Sequence, residues 1–434
     1  MSNTSSTSRE NKKKQLRRQI VPSDSQPYGR GGYEEEDSRE VVYNAHRKVV
    51  RRRIRLVLIL LIMIAAAIFF FYRYTLYHEF TDYQVVWEKD FSVGDSEGVS
   101  KGEGNFNGYV DFGDGILKYT KDGFSYMDAQ GKVVWNQSYE MKSPIVSVNG
   151  EYAAVADQQG TSIYICDKSG LKGKATTLLP ILRVTVSAKG VVAALQEDSK
   201  ASYIYLYNKD GTDLKIWIKS LLSNDGYPVD ISLSPGGTQL MVSYMYLDKG
   251  ILKCKVTFYN FGLGKNDPKR VVGILYPETL SDGMVGRVQF LDESHCVAIS
   301  DKGLVFVSTR VETEPEAQEP INIEERIRTI CYTDSYVGIV TDNTEGEDPY
   351  HMQIFSVDGT KVLDKTFNFQ YANMDIDGDM IFLYNDSGCQ VYNMSGTLKF
   401  TGTFDFTVSK VSAGRFPGTL LVTGPQFMKE IKLQ

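Results

Sequence analysis

One apolar run constrains this chain more than any other feature. The run extends from Leu56 to Tyr72 and is nearly free of polar side chains. Four arginines come immediately before it: Arg51, Arg52, Arg53 and Arg55. Because a helix rises about 1.5 Å per residue, the run covers roughly 25 Å, and slightly more with its ends, which suffices to cross a bilayer. We therefore predict one transmembrane helix over residues 54–74.

The distribution of charge predicts which way this helix points. Residues 1–55 carry 14 Lys and Arg against 7 Asp and Glu, and basic flanks stay on the cytoplasmic side. Aromatic side chains at the other end are typical of the far membrane–water interface; they are Phe69, Phe70, Phe71, Tyr72, Tyr74 and Tyr77. We expect a cytoplasmic N-terminus, an extracytoplasmic C-terminal domain, and anchoring in the cell membrane by the four arginines with Phe69, Phe70, Phe71 and Tyr72.

Two other interpretations of the run are weaker. Ala65, Ala66 and Ala67 are small, as a signal-peptide cleavage site requires, but cleavage there would fall inside the apolar run and the preceding basic region is far too long. A buried core helix would not have charges at one end and an aromatic girdle at the other. Residues 1–50 are polar and basic, so we expect a disordered cytoplasmic tail.

The region after the helix is acidic. Residues 74–434 carry 33 Lys and Arg against 47 Asp and Glu, a net charge of −14. Such a surface argues against nucleic acid as a partner. Five scattered cysteines have no metal-ligand spacing, and we expect buried free thiols; a disulfide between two of them stays open.

A degenerate repeat of about 40 residues runs through the same region. Strand-like segments end in turns at Gly131, Gly170 and Gly211, which are 39 and 41 residues apart, and again at Gly359 and Gly396, which are 37 apart. A second kind of turn falls between these. Two hairpin turns per repeat give four strands per unit, which is typical of a propeller blade.

Two motifs resemble those of known propellers. The run Met127–Trp135 is similar to the repeat of quinoprotein-type propellers, and the turn Ser234–Gly237 resembles the Ser-Pro-Asp-Gly turn of WD40 and TolB-like propellers. Over residues 83–434 the layout resembles an uncharacterised family of membrane-anchored propeller proteins of Gram-positive bacteria. The resemblance implies a fold and says little about activity.

We accordingly predict an all-β chain: an eight-bladed β-propeller over residues 83–434, with seven blades as the alternative, behind the single helix. The predicted blades are 106–140, 142–178, 180–222, 226–275, 278–320, 322–368, 370–405 and 408–434. The last segment lacks a fourth strand. Residues 83–92 are expected to supply it and thereby close the ring without a free edge.

Three candidate sites have simpler structural explanations. Asp375, Asp377 and Asp379 resemble a calcium loop, but their glycine stands at the wrong position, which favours a hairpin turn. Quinone binding, which the resemblance implies for some propellers, needs more tryptophans than the three present. The acidic segments 312–320 and 341–350 are expected to be solvated loops.

Two functional hypotheses remain from the sequence. The first is a non-enzymatic scaffold or sensor that binds cell-envelope proteins or glycans, with the lipid bilayer as its anchor and with no catalytic residue, cofactor or metal. The second is an envelope polysaccharide-acting hydrolase or lyase with carboxylates such as Asp292 or Asp377 near the propeller axis. Such chemistry needs two carboxyl groups roughly 5–10 Å apart.

Overall fold

The computed structural model describes residues 53–70, 73–74, 78–91, 108–262 and 270–434. The chain divides into two units, one up to Thr75 and one from Leu76 onward. In the first unit, helix α1 covers Arg53–Phe70, and by length and composition it could cross a membrane. Of the predicted anchoring residues, Arg53, Arg55, Phe69 and Phe70 belong to α1. Arg51, Arg52, Phe71, Tyr72 and the predicted tail 1–50 lie outside the described residues.

The second unit contains eight antiparallel sheets among the described residues, which confirms the eight-bladed prediction over the seven-bladed one. Blade 1 contains β2 (Gly108–Phe112), β3 (Gly115–Tyr119), β4 (Gly123–Met127) and β5 (Val133–Ser138), and blade 2 contains β6 (Pro144–Asn149), β7 (Tyr152–Asp157), β8 (Ser162–Asp167) and β9 (Gly170–Thr176). Blade 3 contains β10 (Ile181–Val186), β11 (Val192–Glu197), β12 (Ala201–Tyr207) and β13 (Asp213–Leu221), and blade 4 contains β14 (Tyr227–Leu233), β15 (Gln239–Asp248), β16 (Ile251–Asn260) and β17 (Val271–Leu275).

A 3-10 turn, Pro277–Leu280, leads into the other four blades. Blade 5 contains β18 (Val285–Phe290), β19 (His295–Ser300), β20 (Gly303–Ser308), β21 (Glu316–Ala317) and β22 (Ile321–Asn322), and blade 6 contains β23 (Ile327–Tyr332), β24 (Tyr336–Asp342), β25 (Tyr350–Ser356) and β26 (Lys361–Phe367). Blade 7 contains β27 (Asn373–Asp377), β28 (Met380–Tyr384), β29 (Gly388–Asn393) and β30 (Leu398–Thr403). Blade 8 contains β31 (Lys410–Ala413), β32 (Thr419–Thr423), β33 (Phe427–Leu433) and β1 (Tyr83–Asp90).

The repeat glycines serve both the turns and the packing between blades. Gly211 lies between the third and fourth strands of blade 3 with φ +84°, a conformation that L side chains rarely adopt. A Cβ placed on it would lie 2.3 Å from the carbonyl oxygen of Lys174 in blade 2. The regular glycine spacing therefore reflects a hairpin turn that also contacts the preceding blade.

Hydrophobic clusters fill the space between successive blades. Among the described residues, one buried cluster lies between each neighbouring pair. The cluster between blades 8 and 1 contains Phe91, Ile116, Met127, Leu421 and Met428. Because the last blade packs on the first as the others pack on their neighbours, the ring is closed.

Strand β1 is the fourth strand of blade 8. It pairs with β33 from Tyr83, opposite Leu433, to Asp90, opposite Phe427. The Trp87 indole N–H donates a hydrogen bond to Glu430 Oε2 at 2.6 Å. The two ends of the propeller sequence are thus joined in one sheet.

Blade 5 departs from the predicted pattern. Segment 312–320, predicted to be a loop, contains β21, which pairs with β20 as an outer strand. A second short piece, β22, also pairs with β20. Pro315 and Pro320 supply no backbone N–H, so this outer strand is broken rather than continuous. Segment 341–350 does connect β24 to β25, as predicted.

The five cysteines are free. Four are buried and Cys331 is half-buried. Burial raises the pKa of the Cys166 and Cys389 thiols to about 12. They are therefore protonated and unreactive at neutral pH.

Candidate functional site

The first strand of each blade lies next to the propeller axis, and polar side chains tie several of these strands together. Each of these contacts runs from a backbone N–H of one blade to a side-chain oxygen of the preceding blade. Val186 N–H donates to Ser147 Oγ at 3.1 Å, and Phe290 N–H donates to Ser232 Oγ at 2.8 Å. Part of the free edge of these inner strands is therefore satisfied by side chains of the preceding blade.

A buried lysine joins three consecutive blades at this axis. Lys410, the first residue of β31, places its Nζ 2.9 Å from Asp111 Oδ2 and 2.8 Å from Asp375 Oδ2. Asp111 lies on β2 of blade 1, and Asp375 lies on β27 of blade 7. The Tyr384 hydroxyl also donates to Asp375 Oδ2, at 2.7 Å. We call Asp111, Asp375 and Lys410 the lysine cluster.

The electrostatics of the lysine cluster keep the amine charged. Burial lowers the pKa of Lys410, but the charges of Asp111 and Asp375 outweigh burial, and the pKa ends above its usual value. Burial raises the pKa of Asp111, against the opposing effect of Lys410. The Lys410 side chain is 6% exposed, against 44% for Asp111 and 33% for Asp375. Anything that enters the axis would meet the carboxylates before the ammonium.

A second charged cluster has the opposite pattern. Asp230, on β14 of blade 4, lies 3.8 Å from Arg183 Nε of blade 3 and 3.8 Å from Arg287 Nε of blade 5. Val288 N–H donates to Asp230 Oδ2 at 3.0 Å. Burial raises the pKa of Asp230, while Arg287 and Arg183 oppose this. We call Arg183, Asp230 and Arg287 the arginine cluster.

The two clusters stand on opposite sides of the ring. Lys410 belongs to blade 8 and Asp230 to blade 4, which are diametrically opposed in a ring of eight. The lysine cluster carries two acids around one base, and the arginine cluster carries two bases around one acid. The axis is therefore lined by a net negative charge on one side and a net positive charge on the other.

The two carboxylates that the sequence analysis named as catalytic candidates, Asp292 and Asp377, are not members of the lysine cluster. Asp377 lies on β27 two residues after Asp375, and it accepts a hydrogen bond from Ala413 N–H at 3.1 Å. Asp292 lies in the turn between β18 and β19, where its Oδ2 is 2.8 Å from His295 Nδ1. Asp377, Gly378 and Asp379 form the turn between β27 and β28, as the hairpin interpretation predicted. Sequence reasoning missed Asp111 and Lys410, which no motif marks.

The cluster geometry does not resemble a cation site. Within the described ranges, no group of three or more His, Cys, Asp or Glu side chains is arranged to hold a metal ion. The two carboxylates that approach each other at the axis do so around Lys410, whose ammonium already occupies the space between them.

A projecting hairpin in blade 4 is the second candidate site. β15 and β16 are ten residues each, and they continue beyond the last pairs with their neighbours, Tyr227 with Met245 and Val256 with Leu275. At the tip, Leu247 is 73% exposed, Ile251 64% and Leu252 53%. At this tip β15 and β16 pair only with each other, so the apolar side chains project beyond the four-stranded part of the sheet. Such an exposed apolar patch is typical of an interaction surface.

Sequence comparison assigns the second unit to a family. Residues 76–433 match the family of unknown function DUF5711. The chain belongs to DUF5711. No functionally curated protein matches the DUF5711 chain.

Several solved structures are similar to this DUF5711 protein at low identity. BamB from Moraxella catarrhalis has 12% identity and a TM-score of 0.44, covering 81% of this chain and 100% of its own. AztD from Citrobacter koseri has 8% identity and a TM-score of 0.46, covering 69% and 86%. The Pan2 WD40 domain of Neurospora crassa has 13% identity and a TM-score of 0.40, covering 67% and 89%. At these scores the similarities carry no functional argument, and the eight-bladed assignment rests on the strand pairing.

Proposed function

We propose that this DUF5711 protein is a non-enzymatic scaffold or sensor, anchored by α1 in the cell membrane, whose propeller binds cell-envelope proteins or glycans outside the cytoplasm. The basic flank of α1 supports this orientation because basic residues resist translocation. The projecting hairpin of blade 4 is the observation that carries the proposal. Its three aliphatic side chains are more than half exposed, and a partner would remove them from water.

The hairpin and the entry of the chain into the propeller lie at opposite ends of the ring. Because neighbouring strands are antiparallel, the turn between second and third strands lies at the end of the ring where the first strands begin. β1 is a fourth strand and starts at the opposite end. The hairpin tip therefore points away from the end at which residues 78–82 enter the propeller.

Replacing Leu247 by Asp is expected to abolish capture of the partner without destabilising the propeller. A substitution at a side chain that is 73% exposed changes the free energy of unfolding by about 0.5 kcal/mol or less. A charge at the centre of an apolar contact costs far more. The measurement is affinity capture of tagged full-length protein from its own cells after crosslinking, read by mass spectrometry.

Leu178→Asp is the matched control for this experiment. Leu178 is 87% exposed and lies in the loop that follows β9. It receives the same change of chemistry outside the hairpin. Equal capture by wild type, Leu247→Asp and Leu178→Asp would remove the hairpin from the proposal.

The paired carboxylates keep a second function in view, an envelope polysaccharide hydrolase or lyase. Asp111 and Asp375 are bound to one nitrogen, so their oxygens are close enough for acid–base chemistry on a sugar. Against this, Lys410 forms ion pairs with both carboxylates and favours their ionised form, whereas a general acid needs a proton held near neutral pH.

The triple variant Asp111→Asn, Asp375→Asn, Lys410→Met separates these functions without leaving a buried charge unpaired. We expect it to leave partner capture unchanged and to release no fewer soluble fragments from purified envelope polysaccharide than wild type does. Fragment release by wild type that falls by about a hundredfold or more in the triple variant would establish the enzyme instead.

A further inference from the structure

The outer part of blade 3 carries a row of three aromatic rings, of which one is exposed and two are half-buried. Tyr203 and Tyr205 lie on the same face of β12, and Trp217 lies directly opposite Tyr205 on β13. The Tyr203 and Tyr205 ring centroids are 6.1 Å apart with planes inclined by 24°, and those of Tyr205 and Trp217 are 6.5 Å apart with planes inclined by 31°. We call Tyr203, Tyr205 and Trp217 the aromatic row.

Trp217 differs from the other tryptophans of the propeller. Trp135 donates its indole N–H to the carbonyl oxygen of Lys168 at 2.9 Å, and Trp87 donates to Glu430. Trp217 is 55% exposed, and within the described residues its indole N–H has no hydrogen-bond partner. A large ring that is half outside the fold, with a free donor, can bind a ligand by stacking and by one hydrogen bond.

The aromatic row lies on the side of blade 3 that faces blade 2. The rings belong to the face of blade 3 that packs on blade 2, since Tyr205 contacts the cluster that includes Ala175. The outer strand of blade 2 has small residues at this contact: the backbone of Asp210 packs directly on Gly173, and Ala175 is 2% exposed. The ring of Trp217 remains 55% exposed, so it is the part of the aromatic row that a ligand can reach.

Positive charge lies beside the aromatic row, although the propeller as a whole is acidic. Lys219 lies opposite Tyr203 on β13, with its Nζ 5.6 Å from the ring centroid. Blades 2 and 3, residues 144–222, carry nine Lys and Arg against seven Asp and Glu. In residues 74–434 as a whole acids outnumber bases, 47 to 33. An anionic ligand would therefore be drawn to this sector.

We infer that the aromatic row binds an acidic polysaccharide. Pyranose rings have flat C–H faces that pack on aromatic rings, and rings about 6 Å apart can contact successive sugars. Lys219 favours sugars that carry carboxylate or phosphate groups. This inference rests on the proposed function, since it names the glycan that the propeller would bind, but it uses blade 3 and not the hairpin of blade 4.

The test uses full-length protein in phosphatidylcholine nanodiscs and three soluble polymers. Polygalacturonate has pyranose rings and carboxylates, dextran has the rings alone, and polyglutamate has the carboxylates alone. We expect polygalacturonate to bind most tightly and to protect Trp217 from iodide quenching. Trp217→Ala should weaken polygalacturonate binding about tenfold. Lys219→Gln should weaken the binding of polygalacturonate but not the binding of dextran.

Two variants keep this test decisive. Trp217→Phe retains a ring and should recover most of the affinity, which a folding defect would not allow. Val134→Ala, at an outer-strand side chain of blade 1 that is 46% exposed, should bind like wild type. The inference is overturned if Trp217→Ala binds polygalacturonate as wild type does, if polyglutamate binds equally tightly, or if no polymer binds. Partner capture that still depends on Leu247 in that case would leave the proposed function standing.

Discussion

Replacement of Lys410 by Met is expected to lower the free energy of unfolding by about 3 kcal/mol, because it leaves two carboxylates facing each other without their shared cation. The value is at the lower end of the range for broken buried pairs, since 44% of the Asp111 side chain and 33% of Asp375 remain accessible. The measurement is urea unfolding of the full chain in detergent, followed by tryptophan fluorescence.

The pH dependence of this variant has a definite sign. In the wild type the pKa of Lys410 is raised, so its contribution is fully present at neutral pH and is lost only as the pH rises above the usual lysine range. In Lys410→Met the two carboxylates repel each other, and protonating one relieves the repulsion. The difference in the free energy of unfolding between wild type and Lys410→Met should therefore become smaller as the pH falls.

Two further variants control for the removal of a lysine. Lys361→Met deletes a surface lysine paired with Asp364 at 2.7 Å and should change the free energy of unfolding by about 0.5 kcal/mol or less. Adding Asp111→Asn and Asp375→Asn to Lys410→Met should recover part of the loss. A loss for Lys410→Met no larger than that for Lys361→Met would mean that the lysine cluster does not join the blades.

Replacement of Trp87 by Ala is expected to cost about 3 kcal/mol or more, the usual range for a large ring lost from a packed site. Trp87 contacts the cluster between blades 8 and 1, and its indole N–H is bonded to Glu430, which is 4% exposed. The loss would leave that carboxylate with the Thr419 hydroxyl, which donates to Glu430 Oε1 at 2.8 Å. We expect a lower urea midpoint and increased aggregation through the exposed edge of β33.

Trp87→Phe and Val86→Ala divide this effect into its parts. The phenylalanine keeps most of the packing and removes the donor, so we expect an intermediate loss of about 1.5–3 kcal/mol. Val86 is 54% exposed on the same strand, and its truncation should be nearly neutral. If Trp87→Ala were as stable as Val86→Ala, β1 would not be holding the ring closed.

The blades could be predicted from sequence because their signals are local. Gly131 and Gly211 each permit a turn with positive φ, and the alternation of apolar and polar residues continues on both sides of the turn. Trp87 could be assigned to an outer strand because its surroundings match those of Trp135. Each of these signals is contained within about ten residues.

The lysine cluster could not be predicted because it depends on ring closure. Asp111 and Lys410 are separated by most of the propeller sequence and meet only when blade 8 lies beside blade 1. Neither has a distinctive neighbour in the chain. The broken outer strand of blade 5 was missed for a different reason: its prolines and acids are typical of a loop, and tertiary pairing with β20 overrides that local preference.

Trp217 shows where a local pattern misleads. It lies on an outer strand, as Trp87 and Trp135 do, yet it faces the preceding blade and remains 55% exposed. Lys215 has a φ of +60°, and the strand register shifts before Trp217. The register shift changes which side chains of β13 face the next blade. The residue pattern of β13 did not predict this shift.

The most direct test of the proposed scaffold is crosslinking of intact cells with a membrane-impermeant amine-reactive reagent, followed by mass spectrometry of the peptide that contains Lys249. Lys249 is an exposed residue in the turn at the tip of the blade 4 hairpin. The proposal predicts that Lys249 reacts in intact cells and is crosslinked to one envelope protein or glycan. Reaction of Lys249 only after lysis, or reaction without any crosslinked envelope component, would contradict it.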